Sequence, residues 1–358
     1  MDPRGAVVAL EDMTPYDRNA WEGIEGWRAA RLSARERHIV PEKMRNGLAK
    51  VKDSARAKFD DIPGSDQFAE TFYKALDGTL GLVRVSADAS LRRNAVVKAY
   101  VKRGHDVSDL EGIRALELRD VDKTKPKLSL IYTAVSTAEG AAAGLVVSGG
   151  EIVLGGGTVF GAGAGAAPGA GLVIATMAAD AVAVLVASMR AIAHTAAYYG
   201  YDTGPPEEQM FAASVLSFGL ADLAGKSVAY IELNKVVQAL ARKATWEQLN
   251  KLAASKVMRV VYLRLGMRLT QRKLGEAIPV LGIVIGGGAN AWLLGRLSRD
   301  ADLLYRERFL RDKYGLSADL PLTLTTATGG DTISVMKLVS DQLGDPDADG
   351  DPGHRSDG

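Results

Sequence analysis

The stretch "GGGTVFGAGAGAAPGAGLVIATMAADAVAVLVASM", residues 155–189, decides how the chain is read. It lies across 28 residues without a charge between Glu151 and Asp180, in a chain that is 24% charged overall. Gly157, Gly161, Gly165 and Gly169 recur every fourth residue, so on a helix they would form one bare ridge against which a second backbone could pack closely. Glycine lowers helix stability by about 1 kcal/mol per position relative to alanine, and Pro168 removes a backbone donor, so a single unbroken helix is disfavoured. The expectation is an apolar hairpin with arms near 140–166 and 170–199 and a turn at Pro168 and Gly169.

Outward from this stretch the pattern stays helical. "PYDRNAWEGIEGWRAARL" places Trp21, Ile24, Trp27 and Leu32 on an amphipathic helix. "DDIPGSD" (60–66) breaks the pattern, and "LRRNAVVKAYVKRG" ends on a glycine suited to a helix C-cap at Gly104. "VDKTKPK" (121–127) reads as a polar connector, and "FAASVLSFGLADLAGKSVAYIEL" (211–233) as continuous helix. No segment shows a convincing strand alternation. The predicted fold class is all-α: a single large helical bundle with two glycine-rich apolar segments. By residue, 1–13 is a flexible N-terminus, 14–135 an N-terminal helical region, 136–312 the apolar core and 313–358 an extension, disordered in its acidic tail from about 344.

The second apolar run, "AIPVLGIVIGGGANAWLLG" (277–295), carries Gly286, Gly287 and Gly288 as packing candidates and Asn290 as a buried polar one. Ahead of it, Arg264, Arg268 and Arg272 lie four apart with Lys273 beside them, and no acidic residue intervenes before Glu276. A basic amphipathic helix leading into an apolar segment suits an anionic lipid surface, and equally the solvated face of a soluble bundle.

Composition excludes several classes. With no cysteine there is no disulfide, thiolate metal site or cysteine nucleophile, and a net charge of +1 gives no footprint for nucleic acid. "GAGAGA" (161–166) lacks the strand, helix and acidic residue of a dinucleotide site, and "GLADLAGKS" (219–227) has Leu220 where a phosphate loop needs glycine. "DPDADGDPGHRS" (345–356) has calcium-loop spacing but ends on Ser356 where a bidentate glutamate belongs. No cofactor, metal or nucleic-acid partner is expected. The remaining polar candidates are Asp180, His194, Tyr201, Asp202 and Glu207, and no nucleophile with an adjacent base stands among them. The N-terminus shows no cleavable apolar region, which points to a cytoplasmic protein at the inner face of the cell membrane.

"AIAHTAAYYGYDTGPPEEQMFAASVL" (191–216), "RLTQRKLGEAIPVLGIVIGGGANAWLLGRLSRDADLLYRERFL" (268–310) and the early "PYDRNAWEGIEGWR" resemble the EcsC family of bacterial proteins. The family takes its name from the third member of an operon encoding an ABC transporter. The resemblance implies an all-helical, membrane-associated protein and an ABC transporter as partner, and it carries over no catalytic residue. Three functions stay open: a membrane-associated protein that handles lipid or assists a transporter, with anionic membrane lipid as partner; a soluble bundle serving as a binding or scaffolding module; and a hydrolase acting on an apolar substrate.

Overall fold

The structure is a computed structural model, and it describes residues 12–32, 70, 73–74, 91–141, 170–221, 225–242, 251–276, 285–316 and 333–343. Among the described residues there are helices and no strands. They are α1 (Pro15–Leu32), α2 (Arg93–Val101), α3 (Leu110–Ile113), α4 (Leu118–Thr124), α5 (Leu128–Ala141), α6 (Ala170–Tyr198), α7 (Pro206–Leu220), α8 (Lys226–Arg242), α9 (Lys251–Glu276), α10 (Ile285–Tyr314) and α11 (Val335–Leu343).

The core is organised around α7. Every residue from Met210 to Leu220 is buried, because α6, α8, α9, α10 and α11 all pack against this helix. A helix apolar on all sides has no solvent face to keep, which is what "MFAASVLSFGL" supplies. Its start is set by Pro205 and Pro206, with Glu207 and Glu208 in the first turn, where carboxylates favour the positive end of the helix dipole.

Antiparallel packing of α5 on α10 fixes the register of the bundle. Asp122 meets Arg306 at 2.6 Å and Lys125 meets Asp302. Farther along, a Cβ on Gly295 would stand 2.2 Å from Thr133 Oγ1, so a larger residue there would force the Thr133 hydroxyl aside. Helix α6 is also antiparallel to α5, since Lys125 contacts Tyr199 and Tyr132 contacts His194. The ends of α5 and α6 that border residues 142–169 therefore lie toward the same end of the bundle. The start of α10 lies at that same end, since α5 runs antiparallel to it, and each uncharged run ends inside a helix that begins there. Eight residues separate α9 from α10, a reach of about 30 Å, so the end of α9 lies within that distance of the start of α10.

Two local expectations are corrected. Residues 121–124 of the supposed connector are the second half of α4, with Leu118 and Val121 buried, and the helix stops at Lys125 ahead of Pro126. The segment 211–233 is not one helix: α7 ends at Leu220, Ala221 is extended, and α8 begins at Lys226. The helix break at Gly104 is present with φ of 87°. The second arm of the expected hairpin is α6, whereas the first arm beyond Ala141, the turn and the tail from 344 lie outside the described residues.

Candidate functional site

The polar centre of the molecule is the C-terminal half of α10, where Asp300, Glu307, Arg308 and Arg311 are buried among α1, α7 and α8. Asp300, 1% exposed, accepts hydrogen bonds from Arg31 on α1 at 2.9 Å and from Lys226 on α8 at 3.2 Å. Lys226 is fully buried and also donates to the carbonyls of Phe218 and Gly219 at the end of α7. Carbonyls in the last turn of a helix are short of backbone donors; that of Phe218 accepts from the Ala221 N–H at 3.2 Å, and a lysine opening the next helix adds a second donor there and one at Gly219. Its ammonium lies 4.0 Å from the centre of the Phe218 ring. Burial lowers the Lys226 pKa to about 8 in spite of the Asp300 charge.

Farther along α10, Glu307 Oε1 accepts from Tyr230 at 2.6 Å, Arg311 at 2.7 Å and Arg28 at 3.1 Å. Burial, and then the Glu307 charge, push the Tyr230 hydroxyl up to about 12. On the adjoining face Arg308 makes a bidentate pair with Glu208 at 2.6 Å through each nitrogen. Its guanidinium carbon is 4.1 Å from the Tyr201 ring centre and 4.5 Å from that of Phe211. Burial works against the charge of Arg308, but Glu208 outweighs it and the pKa is raised. At the end of the helix Lys313 and Tyr314 both reach Asp17, at 3.0 and 2.7 Å, and so tie the start of α1 to the end of α10.

This arrangement is a framework. Beside it lies a void of about 10 Å³ lined by Asn234, Glu307, Arg308 and Arg311, room for a single water. Glu307 Oε2 has no hydrogen-bond partner among the described residues, which suits such a water. Buried ion pairs of this kind roughly break even in stability, yet removing one partner is costly, so they fix which helices meet and in what register.

The residues singled out from sequence are dispersed. His194 Nδ1 lies 2.6 Å from the Tyr132 hydroxyl, away from Asp202. Tyr201 is buried and donates to Asp312 at 2.6 Å, and its pKa is raised well above the ordinary value by burial. Asp202 pairs bidentately with Arg93 at 2.8 Å and accepts from the Gly204 N–H. Burial opposes that carboxylate, but Arg93 and the backbone donor hold its pKa below the usual value. Glu207 is half-buried in the first turn of α7, where the helix dipole accounts for it. Asp180 lies on α6, Asn290, Gly286, Gly287 and Gly288 on α10, and Arg268, Arg272 and Lys273 on α9, with their side chains outside the described set. Arg264 is exposed on α9, and Gly157, Gly161, Gly165 and Gly169 fall outside the described residues.

Sequence reasoning missed Asp300, Glu307, Arg308 and Arg311 and discounted Lys226 with the failed phosphate loop. The signal was present in "RDADLLYRERFLRDKY", where charges of both signs occupy every helix face, so a packed helix must bury some of them.

The model of the EcsC protein family matches residues 153–310. The chain is 32% identical over 244 residues to the uncharacterized protein YdbA of Bacillus subtilis (strain 168), covering 67% of this chain and 77% of that one. The chain belongs to the EcsC family. No solved structure matches it. The EcsC match includes Lys226, Asp300, Glu307 and Arg308, whereas Arg28 and Arg31, which complete their pairs from α1, lie before it.

Proposed function

We propose that this EcsC protein is a membrane-associated helical protein that handles lipid or assists a transporter. The observation that carries the reading is the segregation of its ends. Each uncharged glycine-rich run leads into a helix, α6 or α10, whose first turns lie at one end of the bundle, and the buried ion pairs occupy the other half of α10. An apolar end beside a basic helix suits insertion at an anionic surface, with Arg264, Arg268, Arg272 and Lys273 supplying the attraction. A transporter as partner rests on the family's name alone.

The test is sedimentation of the protein with vesicles of phosphatidylglycerol and phosphatidylcholine, against phosphatidylcholine alone. The parent chain should sediment with the anionic vesicles, and Arg264→Glu with Arg268→Glu should weaken that binding strongly, more so at low salt, because the cations act within a Debye length of about 10 Å at 0.1 M. A parent chain that stays in the supernatant overturns this reading.

One observation favours a second reading, a soluble bundle used as a binding module. Ala181–Tyr198 on α6 is long and apolar enough to cross a membrane by length and composition, but 67% of that window is buried inside the protein. It is accounted for as a core helix.

A further inference from the structure

The structure exposes an apolar and cationic face where α5 and α10 pack together. Trp292 on α10 is 55% exposed, and Leu130 and Ile131 on α5 are 61% and 47% exposed. Arg296 and Arg299 follow Trp292 at spacings of four and seven, so the three fall within about 60° on one side of α10. The Arg296 guanidinium carbon lies 5.2 Å from the centre of the Trp292 ring, and Arg299 is exposed.

Helical geometry places these groups on one surface. Gly295 faces Thr133 and the Ser129 carbonyl, which defines the line of contact between the helices. One residue past Ser129, about 100° round α5, comes Leu130; on α10, Trp292 lies about 60° round from Gly295. Because the helices are antiparallel, both rotations lead to the same outer side of the pair. The core-facing Leu128, Tyr132, Leu294 and Leu297 are buried on the opposite side. Trp292 is about 4.5 Å along the axis from the level of Gly295, and about 10 Å from the start of α10 that borders the uncharged run.

Charge decides the occupant. The face adds Arg296, Arg299 and the exposed Lys127, while the carboxylates farther along the pair, Asp122 and Asp302, are engaged by Arg306 and Lys125. A tryptophan backed by arginines, at a short distance from an apolar end, is the arrangement of an interfacial anchor: the indole sits at the headgroup boundary and the cations meet phosphate. We propose that the outer face of the α5–α10 pair docks on anionic membrane lipid, with Trp292 as the anchor and Arg296 and Arg299 as headgroup contacts. This rests on the membrane reading above and specifies which surface of the chain meets the lipid.

The test uses the full chain and two vesicle types, phosphatidylglycerol with phosphatidylcholine and phosphatidylcholine alone, together with acyl chains brominated near the headgroup as quenchers of tryptophan. Trp292→Ala should lower partition onto anionic vesicles by about tenfold, and Arg296→Gln with Arg299→Gln should lower it there and flatten its salt dependence. In a Trp246→Phe background, quenching by the brominated chains should be present and should be largely lost when Trp292→Phe is added, since of the two tryptophans that remain Trp21 is buried and Trp27 packs against the core. Far-ultraviolet circular dichroism and melting identify any variant that fails to fold, and the quenching comparison, which needs only the conservative Phe substitution, then decides. If the parent binds vesicles while the variants bind equally and Trp292→Phe is quenched like the parent, the docking face is wrong and the membrane reading stands. If the parent binds no vesicles, both fall. A dimer in solution that Trp292→Ala dissociates, with vesicle binding unchanged, assigns the face to a second copy of the chain and overturns the proposal.

Discussion

The two halves of α10 are built in opposite senses. Residues 285–298 contain one charged side chain, Arg296, whereas residues 299–314 contain nine. Yet the apolar Trp292 in the first half is 55% exposed and the charged Asp300 in the second is 1% exposed. The uncharged half packs through small residues, as Gly295 does against Thr133, and leaves its indole outside. The charged half turns its ions inward, where Arg28, Arg31, Glu208 and Lys226 meet them from three other helices. Polarity along a helix is therefore a poor guide to exposure when several elements contribute partners to one line of charge. Specificity of helix pairing comes from the second half, and the proposed docking face from the first together with Arg299, which opens the second.

The largest test of this contrast removes the acid at the junction of α1, α7, α8 and α10. Asp300→Leu leaves the Lys226 ammonium buried with two backbone carbonyls and the Phe218 ring, and deprives Arg31 of its carboxylate. Urea unfolding should show a loss of about 3 to 5 kcal/mol. A loss below about 1 kcal/mol would mean that water reaches the pair and that the second half of α10 is not the rigid one.

Titration of Lys226 gives the next effect, and its sign is definite. The folded pKa, about 8, lies below the ordinary 10.5. Between these values the unfolded chain binds more protons, so stability should rise as pH increases through that window, by an amount on the order of 2 to 3 kcal/mol. Above pH 10 the buried tyrosines oppose it: Tyr199 and Tyr201 are raised well above the ordinary value by burial, so ionisation of the unfolded chain lowers stability there. The rise should therefore be read from pH 8 to 10 by thermal melting, and it should be missing in Lys226→Met.

The helical class and the EcsC resemblance were legible because they rest on long periodic or uncharged segments, whose signal adds up along the chain. Helix α7 was legible as apolar, but its end was not: the break at Ala221 has no proline or glycine of its own, and it is stabilised by Lys226, five residues on, through the carbonyls of Phe218 and Gly219. The ion pairs were hidden for a similar reason. Glu208 and Arg308 are a hundred residues apart, and Asp17 and Lys313 nearly three hundred. Each alone reads as a solvated charge or a helix-end carboxylate, and only the antiparallel register of α7 on α10 brings the first pair together. Arg264 was legible as exposed and basic because its helix alone decides that.

A smaller effect tests the close contact between the two regimes. A Cβ on Gly219 would stand 2.0 Å from Leu297 Cδ1, at the crossing of α7 and α10 just before Asp300. Leucine can shift its terminal methyl, and alanine gains about 1 kcal/mol of helix propensity, so Gly219→Ala should cost only about 1 to 2 kcal/mol net. Adding Leu297→Ala makes a double-mutant cycle, and the two changes together should cost about 1 kcal/mol less than their sum. Strict additivity would show that the helices already separate there.

The smallest effect on stability comes from the residue next to the most sensitive one. Arg299 and Asp300 are adjacent, but about 100° apart round the helix, so the arginine is exposed and the aspartate buried. Arg299→Ala removes no buried partner and should change the unfolding free energy by no more than about 0.5 kcal/mol. On the docking face it is one of the few cations near Trp292, so the same substitution should still weaken partition onto anionic vesicles, by severalfold at low salt and less at high salt. Asp300→Leu should show the reverse pattern in its folded fraction, a large loss of stability with vesicle partition retained. If both substitutions moved stability and partition together, the face and the framework would be one cooperative unit, and the division of α10 into a holding half and a docking half would have to be abandoned.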